Sequence, residues 1–145
     1  MKIDNSIQLI GRIREQANSF IMDEMKKVGC DGIVPSHGDI LVSLFKHKEL
    51  TKTEISNLIH RERSTVTTLV NKLIKLGFVK SRKNPEDSRY SIVYLTQKGK
   101  ELKPSFYKIS ERMYEIEYKG ISDEEKEIFI DILNRIRKNF LDNNQ

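Results

Sequence analysis

Between positions 64 and 75 the chain sets out Ser64, Thr65, Thr67, Thr68, Asn71, Lys72 and Lys75. Short hydroxyl and amide side chains can hydrogen-bond base edges or phosphates without filling a groove, and lysines neutralise backbone charge. More cations lie on either side, at Arg61, Arg63, Arg82, Lys83 and Arg89. Residues 60–103 hold 11 Lys and Arg against 4 acids, a local charge of +7 in a chain whose formal total is +5. Contact with a polyanion needs cations gathered on one face. A solvated, lysine-rich surface has the same composition, so the order of the elements has to decide.

Other chemistries find less support. His37 and Asp39 are two apart on an expected helix and point in different directions, which makes no dyad. His37, His47 and His60 are not paired at the i, i+4 spacing of a helical zinc site, and Cys30 has neither a Cys-x-x-Cys partner nor a second cysteine for a disulfide. No nucleophile-base pair or phosphate loop is present. The expectation is therefore no enzyme, no cofactor and no metal. Cys30 reads as a buried or incidental thiol, and His37 as a cap-region or interface residue. Tyr94, Tyr107, Tyr114 and Tyr118 read as core and interface residues. A globular composition, 37% apolar and 32% charged, with no apolar run long enough for a bilayer or a leader, points to a cytoplasmic protein without a membrane segment.

These residues need elements to hold them. Ile3, Ile7, Ile10, Ile13, Ala17, Phe20 and Ile21 recur every three or four residues, the period of an amphipathic helix running to about Lys27. After a loop with Gly29 and Gly32, a second helix is expected to open with Ser36 as N-cap and Asp39 three residues on, burying Ile40, Leu41, Leu44 and Phe45. Thr51 and Glu54 make a capping box for a short third helix with Ile55, Leu58 and Ile59 inside. A fourth helix runs from near Ser64 to Gly77, its C′ glycine. Its stripe is Val66, Leu69, Val70, Leu73 and Ile74; Ser64, Thr68, Asn71 and Lys75 fall on the opposite side. The period then changes to two. Phe78 to Arg82 and Tyr90 to Leu95 read as strands, with Asn84 to Ser88 as the turn. From Thr96 to about Lys119, Leu102, Phe106, Ile109, Met113 and Ile116 give a helical seam, with Pro104 marking a kink or a late start. Ser122 and Glu125 cap a last helix with Ile128, Phe129, Ile132, Leu133, Ile136 and Phe140 on one stripe.

A capped helix, a tight turn, a helix with polar groups outward and a basic hairpin follow the order of a winged helix-turn-helix. The fold class expected is mainly α with a small β-hairpin wing. Residues 35–103 form the winged lobe, and residues 1–34 and 104–145 form long N- and C-terminal dimerisation helices within a single domain spanning 1–145. The terminal apolar faces exceed what so small a domain must bury internally, which suggests an intertwined homodimer through Ile3, Ile7, Ile10, Phe129, Ile132, Leu133, Ile136 and Phe140.

The residues Ser64-Thr65-Val66-Thr67-Thr68-Leu69-Val70-Asn71-Lys72-Leu73, Leu76-Gly77-Phe78-Val79, Asn84-Pro85-Glu86-Asp87-Ser88-Arg89 and Leu95-Thr96-Gln97-Lys98-Gly99-Lys100-Glu101-Leu102 together resemble the MarR family of transcriptional regulators. Asp87-x-Arg89 at the wing, followed by the Leu-Thr-x-x-Gly run, is the most specific part. Arg61 departs from the family, which usually has an apolar residue in the turn. The resemblance implies a homodimer that binds a pseudo-palindromic operator in double-stranded DNA, usually as a repressor released by a small molecule or stress signal. The fourth helix would enter the major groove with Ser64, Thr65, Thr67, Thr68, Asn71, Lys72 and Lys75. Arg61, Arg63, Arg82, Lys83 and Arg89 would serve the turn and wing, and Arg89 paired with Asp87 could equally brace the hairpin tip. Two-fold symmetry implies half-sites about one helical turn, ~10 bp, apart. Some relatives sense zinc through histidines after the wing, where Phe106 to Arg112 has none, or peroxide through a first-helix cysteine, a position Cys30 does not hold. Effectors of relatives are small anionic or phenolic molecules in a cleft between lobe and dimer helices. The competing reading is a winged-helix protein-interaction module without sequence-specific DNA binding.

Overall fold

A computed structural model of the chain describes residues 1–144. They form two compact units, Met1–Ser110 and a second from Glu111 onward. In the first unit, α1 (Ser6–Lys27) is followed by α2 (Pro35–His47), β1 (Glu49–Thr51), α3 (Lys52–Ile59) and α4 (Arg63–Lys75). The strands β2 (Val79–Lys83) and β3 (Ser91–Leu95) come next, then a single turn α5 (Gln97–Lys100). α6 (Lys103–Glu117) runs out of the first unit, and α7 (Asp123–Asn143) lies within the second.

The strands make an antiparallel sheet in the order β1-β3-β2, with Leu50 opposite Val93, and Val79 and Arg82 opposite Leu95 and Ile92. Strand side chains alternate between faces, so Leu50, Val79, Val93 and Leu95 turn to the core and are buried. Lys80, Arg82 and Tyr94 occupy the other face. Ile40, Leu41, Leu44, Ile55, Val66, Val70 and Leu73 close the core from α2, α3 and α4, each at 1% exposure or less. Burial of each such aliphatic group stabilises the lobe by roughly 1.5–3 kcal/mol, and the core fixes which side of α4 is left outside.

Several local expectations are corrected. The first helix starts at Ser6, not Ile3, because the Asp4 carboxylate accepts the Ser6 N–H at 2.9 Å and turns the chain into the helix. Ser36 is not an N-cap. The helix starts at Pro35, a residue suited to a first turn where no amide is needed, and the Val34 N–H donates to His37 Nδ1 at 2.9 Å. Leu58 and Ile74 lie outside the core at 46% and 38% exposure, each at the edge of its helix's apolar stripe. Ile116 is also exposed, and β1 adds a strand to the hairpin. The helix expected from Thr96 is divided at Glu101–Leu102, and Pro104 sits in the first turn of α6, where it costs no helical hydrogen bond. The capping boxes are as expected. Thr51 Oγ1 accepts from the Glu54 N–H while a Glu54 carboxylate oxygen accepts from the Thr51 N–H, and Ser122 and Glu125 repeat the exchange.

Candidate nucleic-acid interface

α3 and α4 meet at a turn that hydrogen bonding shapes more than packing. His60 takes the left-handed conformation at φ 56°, and the Arg61 N–H donates to the Ser56 carbonyl at 3.2 Å. The Ser56 hydroxyl donates in turn to the Arg61 carbonyl oxygen. With the backbone held this way, the Arg61 side chain needs no core contact and is exposed. Ser56 was not singled out from the sequence. Its signal was weak: a small hydroxyl residue five positions before the turn.

Beyond the turn, Val66, Leu69, Val70 and Leu73 are buried, while Ser64, Thr65, Thr68, Asn71, Lys72 and Lys75 are exposed and Thr67 is half-buried. The polar row therefore stands on the solvent side of α4. The Thr68 hydroxyl donates to the Ser64 carbonyl at 3.2 Å. With its proton committed there, the exposed hydroxyl is left to accept rather than donate. Asn71 offers both functions. Lys72 reaches back over the α1–α2 loop, where a Cβ on Gly32 would stand 4.0 Å from its Nζ.

At the hairpin tip, Asn84 Oδ1 accepts the Glu86 N–H at 3.0 Å and Asp87 Oδ1 accepts the Arg89 N–H at 3.1 Å. Arg89 Nε also donates to Asp87 Oδ1 at 3.0 Å, and Nη2 to Oδ2 at 2.7 Å. This two-pronged pair holds the Asp87 carboxyl below its ordinary pKa, first through the side-chain bonds and then through the backbone one, and raises that of Arg89. The Arg89 side chain is nonetheless 81% exposed. The brace is built, and the cation still faces solvent. Lys83, at the end of β2, is exposed as well.

Arg82 is placed differently. Its Nη2 pairs with Glu49 Oε2 at 2.8 Å, across β3, and its guanidinium lies over the Tyr94 ring at 5.4 Å. Arg63 is exposed at the start of α4. Cys30 is buried, and burial pushes its thiol above the ordinary pKa. Among the described residues, no group of three or more His, Cys, Asp or Glu side chains could hold a metal ion, and no helix is long and apolar enough to cross a membrane.

Comparison with known proteins gives a consistent result. Residues 33–90 match the family model for the MarR family. The HTH-type transcriptional regulator YdgJ of Bacillus subtilis is 31% identical over 79% of this chain and 70% of its own length. The HTH-type transcriptional repressor YetL of the same organism is 36% identical over 65% of this chain and 58% of its own. Among solved structures, a MarR protein from Peptoclostridium difficile superposes with a TM-score of 0.84 at 24% identity, covering 97% of this chain and 92% of that one. An E. coli MarR mutant solved with operator DNA gives 0.81 at 17% identity, over 94% and 99%. With the winged lobe, the identity to YdgJ and the family match in agreement, this chain belongs to the MarR family of helix-turn-helix regulators.

Proposed function

We propose that the chain acts as a homodimer that binds a pseudo-palindromic operator in double-stranded DNA, as a repressor that a small molecule or stress signal releases. The observation that carries this reading is the exposed row on α4, set opposite its buried stripe and next to a wing whose tip Asp87 and Arg89 hold in shape. In this reading α4 lies in the major groove, about 12 Å wide. Thr68 accepts from a base amino group, Asn71 exchanges two hydrogen bonds with a base edge, and Ser64, Thr65, Thr67, Lys72 and Lys75 fix register. Arg61 and Arg63 meet the backbone at the turn, and Lys83 and Arg89 at the wing. Arg82, already matched to Glu49, braces the sheet. Residues 35–103 are the DNA-binding lobe, and 1–34 with 104–145 are the dimerising parts. The E. coli neighbour solved with operator DNA supports DNA as the partner.

The test is fluorescence anisotropy on duplexes footprinted from the region around the gene. With ~6 to 10 phosphates neutralised per dimer, affinity should fall by about 10³ to 10⁵ between roughly 50 and 200 mM salt. Asn71→Ala should cost about 1–3 kcal/mol on the operator and much less on unrelated duplexes. Equal and weak affinity for every duplex would overturn the sequence-specific part and leave a protein-interaction module as the better reading.

A further inference from the structure

Tyr90 follows the Asp87–Arg89 brace and directly precedes β3. Its backbone is pinned from both sides: the Tyr90 N–H donates to the Asp87 carbonyl at 3.1 Å, and the Tyr90 carbonyl accepts the Asn84 N–H at 2.9 Å. The ring held by that backbone is 40% exposed, which is too open for a core residue. Arg89 lies beside it, with its guanidinium carbon 5.9 Å from the ring centre, inside the ~6 Å over which arginine and an aromatic face attract. Among the described residues, nothing hydrogen-bonds the Tyr90 hydroxyl. The wing tip therefore carries a stiff side chain, with few torsions left to order, that ends in an unused O–H.

Arg89 spends Nε and Nη2 on Asp87, whose carboxylate offsets its charge. A neutral donor beside this pair then matters more than it would next to a lone cation. Phosphate oxygens only accept, and tyrosine is one of the side chains that donate to them. We propose that Tyr90 is a further DNA-contacting residue of the wing, its hydroxyl donating to a backbone phosphate next to the one that Arg89 meets. This rests on the DNA-binding reading above. The bond releases no counterion, so it adds affinity without steepening the salt dependence, unlike a lysine or arginine contact. It fixes where the wing rests on the duplex.

Anisotropy of the full chain on the footprinted operator tests this with Tyr90→Phe, which keeps the ring beside Arg89 and deletes only the hydroxyl. Affinity should fall by about tenfold, the weight of a hydrogen bond to a charged group, with the slope against salt unchanged. The thermal midpoint should stay with the parent's, since the hydroxyl has no partner in the chain. A ring that only braces Arg89 would leave Tyr90→Phe at parental affinity, and that result overturns the proposal. A second series uses operators with a single methylphosphonate, which exchanges one acceptor oxygen for a methyl group, at successive positions under the wing. At one position the parent should lose about tenfold and Tyr90→Phe almost nothing further. If Tyr90→Phe is weakened yet suffers every parental penalty, the hydroxyl meets something other than phosphate and the proposal falls. A parent chain that holds no duplex is a separate failure, of the DNA-binding reading, and takes the contact with it.

Discussion

At Gly99 even one added methyl group meets backbone: a Cβ there would stand 2.1 Å from the Phe78 carbonyl oxygen. The neighbouring groups explain the closeness. The Thr96 N–H donates to that same Phe78 carbonyl at 3.0 Å, and the Thr96 hydroxyl donates to the Gly77 carbonyl at 2.6 Å while accepting the Gly99 N–H at 3.1 Å. Backbone cannot yield as a flexible side chain can. Gly99→Ala should therefore destabilise the protein by about 3 kcal/mol or more in urea unfolding. At Gly11, inside α1 with no atom within 4 Å of its added Cβ, the same change should stabilise by roughly 0.5–1 kcal/mol. Equal effects at the two positions would contradict the close approach. The Leu-Thr-x-x-Gly run was legible in the sequence as a family resemblance. Its physical work was not, since the carbonyl that excludes a side chain lies 21 residues away along the chain.

Among the elements, the entry to α2 carries a titratable cap. His37 is buried, and its Nδ1 must be unprotonated to accept the Val34 N–H. Burial, and then the nearby charge of Lys72, hold its pKa below the ordinary histidine value. The unfolded chain therefore takes up the proton more readily than the folded one. The cap's contribution is complete above the unfolded pKa of about 6.5 and is lost as pH falls through it toward the lower folded value. Thermal midpoints should drop between about pH 8 and about pH 5.5, and His37→Gln should flatten that drop. A variant whose midpoint follows the parent's across that range would refute the assignment. Asp87 and Glu125, with pKa values below their ordinary ones, act in a separate window, where acid falls below the carboxylate range. The Thr51 and Ser122 capping boxes were readable because Ser/Thr-x-x-Glu is a local pattern. The α2 cap was not, because a histidine ring serves as acceptor only when its surroundings keep it neutral. β1 escaped too: three residues become a strand only when β3 pairs with them.

Across the whole molecule, the exposed apolar side chains gather on the terminal helices. Ile7, Ile10 and Ile13 on α1, and Ile128, Phe129, Ile132 and Phe140 on α7, are all at least 39% exposed, and Leu133 and Ile136 are half-buried. Ile3 is exposed just ahead of α1. A second copy of the chain is the partner we propose for them. Ile132→Lys should then weaken dimerisation by roughly 2 kcal/mol, about 30-fold, in sedimentation equilibrium. Operator affinity should fall with it, because one half-site is lost. A parent chain that sediments as a monomer at all concentrations would dispose of the idea. The helical periods made the two faces legible, but a partner is not written in one chain's sequence. The Thr96 hydrogen bonds also have a mechanical consequence. Through Gly77, Phe78 and Gly99 they fasten the last turn of α4, the base of β2 and the lead into α6 at one point. In the DNA-binding mode we propose, α4 and the wing thus move as a single rigid tool.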